Sequence, residues 1–480
     1  MAPIRVAPAA ALAAALAGCA VGPTYRSPLP AAPAQSAFQS AAVAVFAPEP
    51  PPGDWWRLYR DPALDRLVGQ ALAANTDLRV AAANLRQARA AVAEARASLL
   101  PTTTTSASVQ RGRIEAAGPT IPPATGDTFD VGLDVSYEVD LFGKLRRTIE
   151  AARADAGSVK AAYDLARITV AAETARAYAD ACSANQQLAV ARHSLELEQN
   201  SYDLTVRLLN AGRDTTLDTA RVGALLEQTR ATVPSLEAAR SSALFRLAVL
   251  TGRPPAQFAP EAAACTAAPS LTTPIPVGDG AVLLRRRPDV RQAERTLAAA
   301  TAQVGVATAD LYPSVTLGGS VGSTAGSPHG LGQEPAFRWN VGPLIQWNFP
   351  NLSAAKARLG EARATAEAAL ASFDGTWLVA LRDTETALTR YAKDLDRLAD
   401  LGRARDQSAR AQQAAEQRFR AGYAGSLDLL DAERTLADAE AAHAQAQAQV
   451  ADDQINLFLD LGGGWESAGP GADASMRAPR

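Results

Sequence analysis

Residues 129–141 read FDVGLDVSYEVDL. Every odd position is apolar (Phe129, Val131, Leu133, Val135, Tyr137, Val139, Leu141), and the even ones are Asp130, Gly132, Asp134, Ser136, Glu138 and Asp140. A period of two puts the two sets on opposite faces of one extended strand, with the acids on the wet side. Segment 102–110 alternates more weakly through Thr and Val and is its expected partner. A second pair follows with Val315, Leu317 and Val321, then Phe337, Trp339, Val341, Ile345, Trp347 and Phe349. Strands of this length with one apolar face match membrane-barrel strands, and Tyr and Trp suit the interfacial girdles. A soluble sandwich uses similar strands, but two hairpins set between very long helices cannot make one. Four strands are also too few, because closed membrane barrels start at about eight and an open sheet edge is not viable in lipid. Several chains must therefore share one barrel, and three copies give twelve strands.

The flanking sequence repeats itself. NTDLRVAAANLRQARAAVAEARASLLP (75–101) aligns without a gap on RPDVRQAERTLAAATAQVGVATADLYP (287–313). The pairs Asp77/Asp289, Arg79/Arg291, Leu85/Leu297, Val92/Val304 and Pro101/Pro313 match. RLLNAGRDTTLD (207–218) likewise aligns on QRFRAGYAGSLD (417–428). Such a pattern predicts one structural half built twice: 54–265, with a β-hairpin at about 102–142, and 266–465, with a β-hairpin at about 314–349. Residues 144–210 are rich in strong helix formers and contain no proline, so a single helix of roughly 100 Å is expected there. Leu188, Leu195, Tyr202 and Leu209 recur every seven residues, as do Leu381, Leu388 and Leu395, with Tyr391 and Leu398 beside them. That spacing predicts coiled-coil seams. Gly212 and Gly422 should reverse the chain at two tip turns (about 207–220 and 417–430), with helices restarting near Asp218 and Asp428. Pro234 should kink or divide the return helix of the first half.

The N-terminus sets the compartment. Arg5 and an apolar run lead to Leu16-Ala17-Gly18-Cys19, a secretory signal over 1–18 with a small-residue cleavage site. The motif resembles a lipobox, in which the cysteine becomes the new N-terminus and carries covalent lipid; an ordinary cleaved signal or a retained anchor are the alternatives. The run is short for a span, which needs about 20 apolar residues. Ala20, rather than an aspartate, follows the cysteine, which fits outer-membrane sorting. The Pro/Ala/Ser-rich stretch 19–53 reads as an extended tether, and 466–480 as a flexible tail. Cys182 and Cys265 could pair in an oxidising periplasm, but their spacing carries no signature, and isolated buried thiols are the reading taken. A net charge of −3 over 480 residues gives no reason to expect nucleic acid. His193, His329 and His443 lack metal-ligand spacing, and no phosphate loop or nucleophile elbow occurs, so neither an enzyme nor a cofactor is expected.

Five motifs in order carry a family resemblance: LAGCAVGPTYRSP (16–28), DWWRLYRDPALDRLV (54–68), SYEVDLFGKLRR (136–147), RRRPDVRQAE (285–294) with LYPS (311–314), and FRAGYAGSLDLLDAER (419–434). They resemble the TolC-like outer-membrane factors, specifically the lipoprotein branch serving RND-type efflux pumps. The resemblance implies an α+β membrane protein: a homotrimeric 12-stranded outer-membrane β-barrel, four strands per chain, continued by a periplasmic α-helical coiled-coil barrel. It implies a passive conduit that takes drugs or other small molecules from an inner-membrane RND-type pump through a periplasmic adaptor. A type I protein-secretion conduit is the alternative within the family, and an envelope-spanning spacer without a pore the alternative outside it.

The resemblance also assigns residues. Asp218, Asp428 and Asp431 match positions lining the closed periplasmic aperture of relatives, where three copies would repel anions and bind cations. The local alternative is that each carboxylate merely sits in a helix's first turn, favoured by the helix dipole; Thr215 and Asp218 have capping-box spacing. Arg207 and Arg418, upstream of Gly212 and Gly422, could pair with acids to hold the tip shut, and the adaptor is expected to dock around 207–220 and 417–430. Segments 111–127 and 323–336 should be extracellular loops.

Overall fold

A computed structural model of the chain describes residues 20–28, 30, 32–114, 124–271 and 273–463. Cys19, the signal segment and the tail after residue 465 lie outside the described residues.

In chain order the elements are β1 (Phe46–Ala47), α1 (Pro62–Ala74), α2 (Thr76–Ala97), β2 (Thr102–Ile114) and β3 (Ala124–Val139). Then come α3 (Lys144–Asn210), α4 (Thr216–Leu250), α5 (Pro260–Ala263), β4 (Ile275–Pro276), α6 (Gly280–Arg286) and α7 (Pro288–Ala309). Last are β5 (Ser314–Ala325), β6 (Phe337–Gln346), α8 (Ser353–Arg420) and α9 (Ser426–Asp460). The chain folds as two compact units, and neither is one of the sequence halves. The first takes the described residues ahead of Pro30 with Asn84–Lys160 and Gln292–Asp374; the second takes Pro30–Ala83, Ala161–Arg291 and the chain from Gly375.

The first unit holds an antiparallel sheet of order β2-β3-β5-β6. The registers run from Thr102↔Ser136 to Ile114↔Ala124, from Phe129↔Ala325 to Val139↔Val315, and from Ser314↔Gln346 to Ser323↔Phe337. They put Asp130, Thr324, Ser320 and Asn340 on one face, where Arg338 pairs with Asp130, and the Asn340 amide donates to the Ser320 hydroxyl at 2.7 Å. The other face carries Val131, Leu133, Val135, Val321, Trp339, Val341 and Ile345, all exposed; Val341 is 76 % and Trp339 69 % accessible. An apolar face this bare belongs against something other than water. The edges of β2 and β6 have no partner strand among the described residues. Below the sheet, the stacked rings of Phe142 and Tyr312 (4.6 Å) and the Lys144–Asp310 pair (2.7 Å) join the two hairpins to their helices. Gly305 on α7 is required by contact: a Cβ there would meet the Arg147 side chain at 2.9 Å.

The second unit is a helical assembly whose core gathers around Trp55, which is fully buried and stacked on Phe458 at 4.8 Å. Leu64, Leu67, Leu247, Ile275, Leu283, Leu388 and Leu457 complete it.

Several expectations from the sequence are corrected. The loops placed at 111–127 and 323–336 are partly strand: pairing with β3 carries β2 to Ile114, β3 begins at Ala124, and β5 runs to Ala325. Conversely Leu141, Trp347 and Phe349 fall beyond the strand ends. The described residues of the stretch read as a tether are docked rather than free, with short 3-10 turns at Ala32–Gln35 and Gln39–Ala41. Within the second unit the Gln39 and Ser40 amides donate to the Glu385 carboxylate (2.8 and 3.0 Å), and β1 pairs with β4. Pro234 does not divide α4, which is continuous from Thr216 to Leu250. The hydroxyls of Thr232 and Ser235 donate to the carbonyls of Thr229 and Thr232 on the turns around the proline (2.7 Å each). Cys182 and Cys265 are joined in a disulfide with Cα atoms 5.2 Å apart, so the reading of isolated thiols is wrong. The heptad leucines of α3 are only partly covered beyond Leu188; the buried line there is Ser194, Glu198 and Thr205. Seven-residue spacing marked the helix but not which of its stripes a single chain covers.

Candidate functional site: the hairpin tip

Both long helices end in the same backbone device. Gly212 (φ +70°) follows α3 and Gly422 (φ +76°) follows α8. The amides of Gly212 and Arg213 donate to the carbonyls of Leu209 and Leu208, both at 2.9 Å; those of Gly422 and Tyr423 donate to Phe419 and Arg418 at 3.0 and 2.8 Å. These are Schellman closures, which need a left-handed residue after the helix and so favour glycine. No atom lies within 4 Å of a Cβ built at Gly422, so the backbone alone opposes a side chain. Gly422→Ala should therefore cost about 1–2 kcal/mol at the tip, and Gly422→Asn less. The check is faster amide exchange in the first turn of α9, with unit-wide melting little changed.

The return helices start differently. Thr215 caps α4: its hydroxyl accepts the Asp218 amide at 3.2 Å and also bonds the Asp218 carboxylate. The Asp218 carboxyl is held below its usual range first by that hydroxyl, with Arg221 adding a favourable charge at 3.7 Å. Asp214 accepts the Thr215 amide at 2.9 Å. It was missed in the sequence, where it reads as one more polar turn residue. On the second hairpin Gly425 is the cap residue and supplies no side-chain bond. Asp428, exposed in the first turn of α9, has no ion pair or side-chain hydrogen bond among the described residues. Asp431 pairs with Arg434 at 3.0 Å, both mostly exposed, a surface pair worth little. Arg207 donates to the Asp203 carbonyl at 3.2 Å, and neither it nor Arg418 pairs with a tip acid among the described residues.

The two turns meet. Leu204, Arg213, Asp214 and Asp218 from the first, with Phe419 and Leu427 from the second, line a cleft of about 780 Å³. Asp428 and Asp431 lie outside it. Around it Tyr423 is 80 % exposed, Leu217 57 % and Leu427 54 %, apolar side chains presented where each hairpin reverses. No group of His, Cys, Asp and Glu that could hold a metal occurs among the described residues. The site is a surface of turns, acids and open apolar groups.

Comparison with known proteins bears on this arrangement. Residues 67–253 and 281–463 match the family of outer membrane efflux proteins. The chain is 30 % identical over 480 residues to a probable efflux pump outer membrane protein, TtgC, of Pseudomonas putida, covering 97 % of each. It is 30 % identical to Nodulation protein T of Rhizobium leguminosarum bv. trifolii, covering 94 % of this chain and 95 % of that one. Among solved structures the outer-membrane channel OprN superposes with a TM-score of 0.88 at 39 % identity, over 93 % of this chain and all of that one. With long helices in paired hairpins and a bare-faced sheet, as well as these matches along nearly its whole length, the chain belongs to the outer membrane efflux protein family.

Proposed function

We propose that three copies of this chain form the outer-membrane channel of a tripartite efflux system, a passive conduit for drugs or other small molecules. The observation that carries this reading is the four-stranded sheet with one bare apolar face and two open edges. Because the strands alternate in direction and are even in number, β6 of one copy and β2 of the next are antiparallel and can pair. Repetition around an axis then closes the sheet with every backbone group bonded, as lipid requires. The Asp130, Asn340 and Ser320 face turns to a wet lumen, and Trp339 and Val341 turn to lipid. The matched element order of the two halves (helices of 67 and 68 residues, each returning through one of 35) supports a duplicated unit. Covalent lipid on Cys19 would add a second anchor.

Transport would be driven elsewhere, by an inner-membrane RND-type pump reached through a periplasmic adaptor. Opening follows if the adaptor binds the open tip better than the closed one. The exposed Tyr423, Leu217 and Leu427 beside the cleft, with Gly212, Gly422, Arg207 and Arg418 in the turns, are the surface it would use. Asp428, with no ion pair or side-chain hydrogen bond among the described residues, would form the acidic aperture with Asp431 one turn on and Asp218 of the other turn. Relatives named as efflux components favour this over a protein-secretion conduit.

The test is single-channel conductance of the purified protein in planar bilayers, wild type against Asp428→Ala/Asp431→Ala. A low-conductance, cation-selective wild type is expected, with a variant that conducts several-fold more or loses selectivity. An unchanged variant returns both aspartates to the helix dipole. Folded preparations that never conduct, wild type and variant alike, would overturn the conduit.

A further inference from the structure

The polar line buried along α3 contains an acid that nothing neutralises. Glu198 is 1 % exposed; Glu433, on α9, is 6 % exposed. Glu198 Oε1 accepts the Thr229 hydroxyl of α4 at 2.9 Å, and Glu433 Oε1 accepts the Ser201 hydroxyl of α3. The second oxygen of each carboxylate is buried with no partner among the described residues. The charged groups that face them are acidic on every helix that contributes one: Glu198 from α3 and Glu416 from α8 act on Glu433, and Asp438 of α9 acts on Glu198. From α4 comes only the Thr229 hydroxyl. The nearby cations are engaged elsewhere, Arg420 with Glu416, Arg434 with Asp431 and Arg230 with Glu227. Two buried carboxylates with open lone pairs and only acids around them cannot both stay charged without a large desolvation cost.

We propose that the buried Glu433 carboxyl stays protonated where α9 packs on α3 behind the tip, and that loss of this proton, which leaves a buried charge facing Glu198 and Glu416, loosens the contact. It makes the grip between the two helical hairpins a function of periplasmic pH. The placement on Glu433 agrees with its surroundings, since burial first, and then Glu198 and Glu416, push its carboxyl up to about 7. A carboxyl raised in the folded state binds its proton more tightly there than when exposed. Its stabilising contribution is therefore full at low pH and is lost as the pH rises from the ordinary glutamate range through about 7. Asp428 and Asp431 play no part in this, so the latch and the aperture are separable.

The experiment is hydrogen–deuterium exchange on the full-length protein, reading peptides of α9 around Leu429–Ala441 as protection factors, so that intrinsic exchange is divided out. Wild-type protection should fall about tenfold between roughly pH 6 and pH 8, the linkage expected for a carboxyl moved from its usual value to about 7. Peptides of α6 and α7 should show no such step. Glu433→Gln, which keeps the shape and the hydrogen bond without the titration, should be flat over the same range. A flat wild type, or a Glu433→Gln variant that keeps the step, overturns the proposal. If Glu433→Gln does not fold, Glu198→Gln decides: removing the like charge must shift the midpoint to lower pH, and an unmoved midpoint overturns the proposal.

Discussion

Replacing Val341 by arginine is expected to abolish assembly in the outer membrane, whereas arginine at the neighbouring Asn340 is expected to be tolerated. The two positions are adjacent on β6 and both are open in a single chain, so exposure does not distinguish them. The pleat does. Val341 shares its face with Trp339 and Ile345, and Asn340 shares the opposite one with Ser320 and Asp134. A lysine or arginine on the lipid face of a barrel strand costs about 2–4 kcal/mol near the bilayer midplane and almost nothing on the lumen face. In the barrel proposed above every copy would carry the change, so the penalty would multiply and compete with the whole stability of a typical domain. Outer-membrane fractionation and the yield of heat-dissociable oligomer would measure it. Should Val341→Arg assemble normally and Asn340→Arg fail, the faces are inverted and the sheet is not the membrane element proposed.

That contrast rests on alternation, which is also why the sheet was legible from residues 129–141. A period of two specifies a face without knowledge of any partner. The extent of β2 was not legible, because Thr102, Thr103, Thr104 and Thr105 carry no contrast, and its reach to Ile114 is set by β3 across the hairpin. Helix α3 was readable to the residue, Lys144 to Asn210, since no proline interrupts it and Gly212 stops it. The covered stripe was another matter. Ser194, Glu198 and Thr205 are polar residues of a long helix, and nothing in their spacing marks them as interior, though all three are buried. At the tip the glycines and the acids were found from spacing and resemblance. That Asp218 is engaged while Asp428 is not follows from the residues around each turn: Thr215 and Arg221 stand where the second hairpin has Gly425 and Asp431.

The disulfide is the sharpest case of tertiary information absent from the sequence, and its removal should have the other large effect. Cys182 is fully buried on α3, and Cys265 follows α5 after a separation of 83 residues. Their Cα distance of 5.2 Å is ordinary for a bridge. Closing a loop of that size restricts the unfolded chain strongly, and loss of a native bridge typically costs about 2–5 kcal/mol. Not all of that need appear, because the same segment is held a second time. The Asn185 amide donates to the Ala263 and Cys265 carbonyls at 3.1 and 2.9 Å, and Arg240 donates to Ala263 at 3.0 Å. Cys182→Ala/Cys265→Ala should therefore lower the denaturation midpoint of the full-length protein while leaving its helix content intact before the transition. Asn185→Ala should cost about 1–2 kcal/mol with the bridge present, and more without it, because each tether positions the other's partners and neighbouring sites are not additive. Wild type in reductant should follow the double alanine variant. If the alanine variant and reduced wild type melt with oxidised wild type while Asn185→Ala does not, the hydrogen bonds hold this segment to α3. The bridge would then only record their proximity.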